Sequence, residues 1–152
     1  MVLRALSIAV ALFSGTTAYA ASTWRYHEAL PSDPAAGVEV QEDSGGRVID
    51  YAIRMFELRD SRKEVRFEGR CDSACTLFLG LPKDQTCIGP GAYFRFHAPS
   101  APSAKDFDAV QSFMMRKYPS WVRSWLTGQG GLSGQLVTMD YAYAHRYMRT
   151  CG

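Results

Sequence analysis

The sequence contains no asparagine and no run of basic residues. The absence of asparagine excludes N-glycosylation, which requires that residue as its acceptor. The 17 lysines and arginines stand against 15 aspartates and glutamates, so the chain carries little net charge. Without a basic patch or stripe, the sequence predicts neither a nucleic-acid partner nor an anionic membrane surface as a partner.

The sequence also lacks an apolar run long enough to span a bilayer, which takes about 20 residues. The apolar run Ala5–Phe13 follows Arg4 and gives way to polar residues at Ser14, and Ala18-Tyr19-Ala20 places small residues around a cleavage point. This pattern predicts a secretory signal peptide over residues 1–20 and disfavours an uncleaved anchor. We therefore expect a periplasmic or secreted protein that has no membrane contact after cleavage.

The residues that remain, 21–152, suffice for one domain with its own core but not for two. Pro31, Pro34 and Gly37 interrupt any periodic pattern at the start of this stretch, so residues 21–37 are predicted to form an irregular lead-in arm. Residues 38–152 are predicted to form the folded domain.

Four cysteines lie in the mature part, and an even number in an exported protein indicates disulfides. Three pairings are open. A short helix and a returning strand would bring Cys75 to Cys87, so we favour that pair and assign Cys71 to Cys151. The alternative is a zinc site of Cys71, Cys75, Cys87 and His97, but its first two cysteines lack the usual C-x-x-C spacing and an oxidising compartment disfavours free thiolates.

Strands alternate with helices along the domain, which favours parallel pairing through right-handed crossovers. The predicted fold class is therefore α/β, a single layered domain with a short, mainly parallel sheet and a helical C-terminal third. Strands are predicted at Val38–Val40, Glu64–Gly69, Thr86–Ile88 and Tyr93–His97, and helices at Val48–Phe56, Ala74–Leu81, from a Ser103 cap to Pro119, from a Ser120 cap through Leu126, and at Met139–Tyr147.

Three features along this frame suit acyl transfer. Ser73 lies between a strand and an apolar helix, where the helix dipole and the next N–H group favour a developing oxyanion. The glycine turn at Gly45 and Gly46 is able to aim a second N–H group, and His97 ends a later strand as a candidate base. Taken singly, each feature is more typical of a helix cap, an ordinary turn or a structural histidine.

Their order and spacing carry more information. Asp43-Ser44-Gly45-Gly46, then Gly69-Arg70-Cys71-Asp72-Ser73-Ala74-Cys75, then Cys87-Ile88-Gly89-Pro90 and Phe96-His97-Ala98-Pro99 resemble the Clp protease proteolytic subunit and its crotonase-like relatives. The chain is most similar to the small, exported, cysteine-containing branch of that superfamily. The resemblance covers Val38–Pro99 well, with a fainter echo of the family's C-terminal helix from Thr138 to Tyr147.

This resemblance implies a serine hydrolase of peptidase type that acts on a peptide or a small acyl substrate and needs no cofactor. It assigns Ser73 as nucleophile and His97 as base, with Gly45 or Gly46 and Ala74 as oxyanion donors. Two departures matter. The family's acid lies where this chain has Gly134-Gln135-Leu136-Val137, which leaves Asp140 as the nearest substitute, with Asp106 and Asp108 further away. Family members usually place another strand and helix before the glycine turn, and residues 21–37 are too few for both.

Two main functions therefore stay open, an exported serine hydrolase and a binding or scaffold protein that keeps the fold without catalysis, beside a thiol or metal role for the cysteines. The second would place Ser73 as a helix cap and His97 among aromatic residues. Asp72 is expected to serve the adjacent helix and Arg95 to be solvated. The oligomeric state is not predicted. A last set of residues is expected to be core rather than a ligand platform: Trp121, Trp125, Tyr141, Tyr143 and Tyr147.

Overall fold

The computed structural model describes residues 37–152, so the predicted signal peptide 1–20 and residues 21–36 of the lead-in arm lie outside the described residues. The elements run in the order β1 (Val38–Asp43), α1 (Val48–Ser61), β2 (Val65–Asp72), a 3-10 helix (Ser73–Gly80), a 3-10 turn (Lys83–Gln85), β3 (Thr86–Ile88), β4 (Tyr93–Phe96), α2 (Ala104–Lys117), α3 (Ser120–Gly128), β5 (Val137–Met139), α4 (Tyr141–Ala144) and β6 (Arg149–Thr150). Across 37–152, no helix combines the length and the apolar character that crossing a membrane requires.

Strand β2 is the centre of a curled, mainly parallel sheet. Strand β1 pairs with one edge of β2 in parallel. Strands β3 and β4 share the other edge, β3 against its first half and β4 against its second, both in parallel. Strand β6 continues the sheet beyond β3 in parallel, and β5 continues it beyond β4 as the antiparallel member. The predicted α/β class with a mainly parallel sheet is therefore confirmed.

The sheet bends where β2 passes Glu68 and Gly69. Between two successive residue pairs of β1 and β2, β1 advances by two residues and β2 by three. The extra residue in β2 makes a β-bulge. Gly69 is the position that permits it, because a Cβ there would lie 2.0 Å from the Gln41 carbonyl oxygen. On the opposite edge the partner changes at the same place, from β3 to β4. The bulge therefore divides the sheet into two halves.

The core lies between one face of this sheet and the helices packed on it. Alternate residues of β2 and β4 point inward, and the rings of Phe67 and Phe94 meet edge to face at 5.0 Å. The apolar 3-10 helix Ser73–Gly80 packs against α1, and each large apolar side chain buried there contributes about 1.5–3 kcal/mol. The opposite face of β2 carries charged side chains.

The C-terminal third departs most from the sequence-based expectation. Ser103 caps α2 as predicted, accepting the Asp106 N–H at 3.2 Å. Ser120 does not cap α3, because Pro119 occupies the cap position. The predicted helix Met139–Tyr147 is reduced to α4, since Met139 belongs to β5. Strands β5 and β6 were not predicted, so this third is not simply helical.

The favoured disulfide pairing was wrong. The bonds join Cys71 to Cys75 and Cys87 to Cys151. The reason lies in the topology: β3 pairs in parallel with β6, Cys87 against Arg149, so Cys151 arrives beside Cys87 from the next strand. Because all four thiols are consumed in disulfides, the zinc alternative with His97 is also wrong.

We predict that Gly69→Ala lowers the free energy of unfolding by about 2–3 kcal/mol, because the new methyl group overlaps the Gln41 carbonyl. Gly134→Ala is the matched control, since nothing lies within 4 Å of its added Cβ, and it should change stability by no more than about 0.5 kcal/mol. Urea unfolding followed by circular dichroism measures both. Equal stability of the two variants would contradict the bulge assignment.

Candidate functional site

The three sequence features meet at one edge of the sheet. Strands β1, β2 and β4 are parallel neighbours, with Asp43 level with Cys71 and Asp72 level with Arg95. The carboxyl ends of these strands therefore lie side by side, about 4.8 Å apart. They are followed by the glycine turn, by Ser73 and by His97. This is the edge at which open parallel sheets bind their ligands.

Ser73 occupies a sharp turn between β2 and the 3-10 helix. Its φ of +54° is in the left-handed region, which costs an ordinary L-residue about 1–2 kcal/mol. The other described non-glycine residue with positive φ is Arg62, which ends α1 as a common left-handed cap. The left-handed conformation of Ser73 does not end a helix in this way. It presents a half-buried serine at a strained strand-to-helix turn, the arrangement that exposes nucleophilic serines in hydrolases.

The glycine turn packs directly against this serine. Gly45 has a φ of +75°, and a Cβ on it would lie 2.5 Å from the Asp72 carbonyl oxygen and 2.8 Å from the Ser73 Cβ. Both the backbone angle and the close approach therefore require glycine. The Asp43 carboxylate fixes the turn: its Oδ1 accepts the Gly45 N–H at 2.7 Å and the Tyr51 hydroxyl at 2.6 Å.

The three predicted oxyanion donors differ in whether their N–H group is available to a ligand. The Gly45 N–H is committed to Asp43, so Gly45 shapes the turn instead of donating to a ligand. Ala74 is 0 % exposed, with its nitrogen under the Gly45 backbone, so a ligand would reach that N–H only after the turn moves. Gly46 is exposed and, among residues 37–152, its N–H donates to no other group. Gly46 is the donor that faces solvent in this conformation.

His97 follows β4 and is half-buried. Its Nδ1 lies 2.7 Å from the Ala98 carbonyl oxygen. A carbonyl oxygen accepts and never donates, so Nδ1 is the donor in this contact, and in the neutral ring Nε2 is then an acceptor. The Ala98 N–H in turn donates to the Ser133 carbonyl at 2.6 Å, which anchors the peptide that orients the ring. In the described chain, no hydrogen bond joins His97 to Ser73 or to a carboxylate.

Asp140 does not supply the missing acid. Its Oδ1 accepts the Tyr143 N–H at 2.8 Å, which makes it the cap of α4. Because Met139 is level with Phe94 in the antiparallel pair, Asp140 lies near the start of β4, about 10–13 Å along the strand from His97. The structure therefore places Asp140 as a helix cap and does not bring it to His97.

A charged network that the sequence did not reveal lies beside the serine. Asp72 is 5 % exposed. Arg95 donates hydrogen bonds to the Asp72 carboxylate from two nitrogens, and the distance from Arg95 Nε to Asp72 Oδ1 is 2.7 Å. Arg70 donates to the same carboxylate at 3.0 Å and to Glu42 at 2.8 Å. The hydrogen bond to Asp72 raises the pKa of the Arg95 guanidinium. Arg95 is therefore partly exposed and paired with Asp72, and the expectation that Asp72 serves the helix was wrong, because Asp72 makes no cap bond.

A second buried chain of hydrogen bonds holds the carbonyl of the serine. The Thr76 hydroxyl donates to the Ser73 carbonyl at 2.6 Å and lies 2.7 Å from the Tyr118 hydroxyl. Because the single Thr76 proton goes to the carbonyl, Tyr118 is the donor in the other bond. Burial raises the pKa of the Tyr118 hydroxyl well above its ordinary value. Within residues 37–152 the Ser73 hydroxyl itself makes no hydrogen bond.

The aromatic residues of the C-terminal third form one cluster rather than a site with a defined ligand. The rings of Trp121 and Tyr147 stack at 5.0 Å, and Tyr143 lies 5.4 Å from Tyr147. The Arg146 guanidinium covers the Tyr143 ring at 4.3 Å. Trp121 and Tyr143 pack partly buried against the core, in agreement with the expected structural role.

Comparison with known proteins finds no family model that matches this chain and no curated protein that is significantly similar to it.

We predict that Ser73→Gly is more stable than Ser73→Ala by about 1 kcal/mol, because glycine adopts a positive φ without the Cβ penalty. Ser124, an exposed residue inside α3, is the matched control, and there alanine should be the more stable by about 1 kcal/mol. Thermal and urea unfolding of the four variants measures the two differences. The same order at both positions would rule out the left-handed turn.

We predict a distinct pH dependence for Tyr118. Above pH 10 the unfolded chain ionises this residue while the folded protein keeps it neutral, so the unfolded state binds fewer protons and stability falls. The loss is about 1.4 kcal/mol per pH unit. Tyr118→Phe should be less stable by about 1 kcal/mol at pH 7 and should lack this part of the alkaline decline. Urea unfolding at pH 7, 10 and 11 tests it, and parallel pH profiles would contradict it.

Proposed function

We propose that this protein is an exported serine hydrolase of the ClpP/crotonase superfamily, acting in the periplasm or outside the cell on a peptide or a small acyl substrate. The observation that carries the proposal is the left-handed Ser73 at the carboxyl end of the central strand, between the glycine turn and His97. The two disulfides suit an oxidising compartment.

In this proposal the bare Nε2 of His97 takes the Ser73 proton as Oγ attacks the substrate carbonyl carbon. The oxyanion accepts the Gly46 N–H and, once the glycine turn has moved, the Ala74 N–H as well. The imidazolium then returns the proton to the leaving group, and water repeats the sequence on the acyl-enzyme. Substrate binding at the edge would therefore include displacement of Gly45 from its place over Ala74.

In this mechanism the Ala98 carbonyl performs part of the role that a carboxylate has in a complete triad. By accepting the Nδ1 proton it fixes the tautomer and orientation of the His97 ring. It carries no negative charge, so it stabilises the imidazolium less than a carboxylate does. We therefore expect turnover that is slow compared with that of a complete triad, for which a wrongly held imidazole costs about 10⁴ in kcat.

The second candidate is a non-catalytic binding or scaffold protein. Two observations favour it: Ala74 is fully buried, and no carboxylate among the described residues is hydrogen-bonded to His97. On this alternative, the edge of the sheet keeps its shape while the hydroxyl of Ser73 has no activated role.

The test is reaction of the oxidised protein with a fluorophosphonate probe, followed by peptide mapping. We expect labelling at Ser73, abolished by Ser73→Ala and slowed about 10²–10⁴-fold by His97→Ala. Ser124→Ala on α3 and His145→Ala after α4 are matched controls and should label at the wild-type rate. A folded wild-type protein that takes no label would overturn the hydrolase proposal and favour the non-catalytic alternative.

A further inference from the structure

Ser73 is the middle residue of a small covalent ring. The disulfide joins Cys71 to Cys75, so one residue separates the serine from each bridged position. Both half-cystines are 0 % exposed. No other serine of the described chain is enclosed in this way, because the second bond, between Cys87 and Cys151, spans 64 residues.

The ring forces the chain to reverse at the serine. Cys71 is fixed in the sheet, level with Asp43 on one side and Phe94 on the other. An extended strand would carry residue 75 about 13 Å further on. The disulfide instead holds the Cα atoms of Cys71 and Cys75 at 5.4 Å. A left-handed residue is a compact means of making that reversal, and Ser73 is the residue that adopts it.

The other supports of the turn act on the atoms around Ser73 and do not close the ring. Two arginines hold Asp72, and Thr76 holds the Ser73 carbonyl. Such hydrogen bonds exchange readily with water, whereas a disulfide does not. The covalent bond is the one support that keeps residues 71 and 75 together when these bonds open.

We propose that Cys71 and Cys75 are positioning residues, whose disulfide holds Ser73 in its left-handed conformation, so that the nucleophile is assembled only in the oxidised protein. This inference rests on the proposed function. Forming the bond removes two electrons and two protons from the two thiols, and a disulfide oxidant in the export compartment accepts them and becomes a dithiol. In a reducing compartment both thiols persist and the site is not formed.

Burial distinguishes this arrangement from a reversible surface switch. Because neither sulfur-bearing residue is exposed, a reductant reaches the bond only when the protein opens. The Cys71–Cys75 bond therefore forms once, during folding after export. The proposed hydrolase activity is then confined to the compartment in which the bond forms.

The experiment compares two double variants. Cys71→Ala/Cys75→Ala removes the ring around Ser73, and Cys87→Ala/Cys151→Ala removes the other bond, which ties β3 to the chain end beyond β6. Two readouts are used on each oxidised protein: the rate of fluorophosphonate labelling at Ser73, and the intraresidue Hα–HN nuclear Overhauser effect of Ser73. That effect is strong when φ is positive and weak when the residue is extended or helical.

We expect the Cys71/Cys75 variant to fold, to label at least tenfold more slowly and to lose the strong Hα–HN effect. The Cys87/Cys151 variant should keep both signals, even though the bond it loses closes the longer loop and so costs more stability. Wild-type labelling and a persistent Hα–HN effect in the Cys71/Cys75 variant would overturn the inference. Absence of label from the wild type would overturn the proposed function alone, because the Hα–HN effect still decides the role of the disulfide.

A refolding experiment covers the case in which the Cys71/Cys75 variant does not fold. The reduced wild-type chain is reoxidised in a glutathione buffer, exposed briefly to the probe at intervals, and mapped for both label and disulfides. Label should appear only in molecules that contain the Cys71–Cys75 bond. Labelled Ser73 in molecules that carry Cys87–Cys151 alone would contradict the inference.

Discussion

The parallel pairing of β2 along both of its edges is the constraint on which the rest of the structure depends. Because β1 and β3 both run in its direction, the chain must cross over the sheet from β1 to β2 and from β2 to β3, and the helices of these connections fall on the face they bury. The same pairing brings the ends of β1, β2 and β4 to one edge. The glycine turn, Ser73 and His97 are neighbours for that reason, although they are widely separated in the sequence.

At this edge, each group around the serine is held by a different interaction. The Asp72 carboxylate is held by arginines from β2 and β4, and the Ser73 carbonyl is held by Thr76. Gly45 packs against the backbone nitrogen of Ala74. These interactions together over-determine a backbone conformation that the serine alone would not choose. Desolvation makes them interdependent: Asp72 is buried, so loss of either arginine would leave an incompletely paired carboxylate.

Sequence patterns predicted what is local and missed what depends on register. The apolar spacing gave α1 and the Ser103 cap, and β3 agreed to the residue. The disulfide pairing could not be obtained in this way, because it depends on β6, a two-residue strand with no periodic signal. Asp72 and Arg95 were likewise misread, since their contact follows from the alignment of β2 with β4.

Two opposing effects at the sheet edge that holds Ser73 bear on the choice between a hydrolase and a non-catalytic protein. A left-handed serine costs about 1–2 kcal/mol, a sizeable part of a typical net stability of about 5–15 kcal/mol. A scaffold gains nothing from that cost, because glycine would provide the same turn and the same carbonyl for Thr76. The strain therefore favours a use for the serine hydroxyl. In the opposite direction, the neutral Ala98 carbonyl orients His97 without stabilising its charged form. In the proposed function, the first effect explains why a serine stands at this turn, and the second limits the rate of hydrolysis.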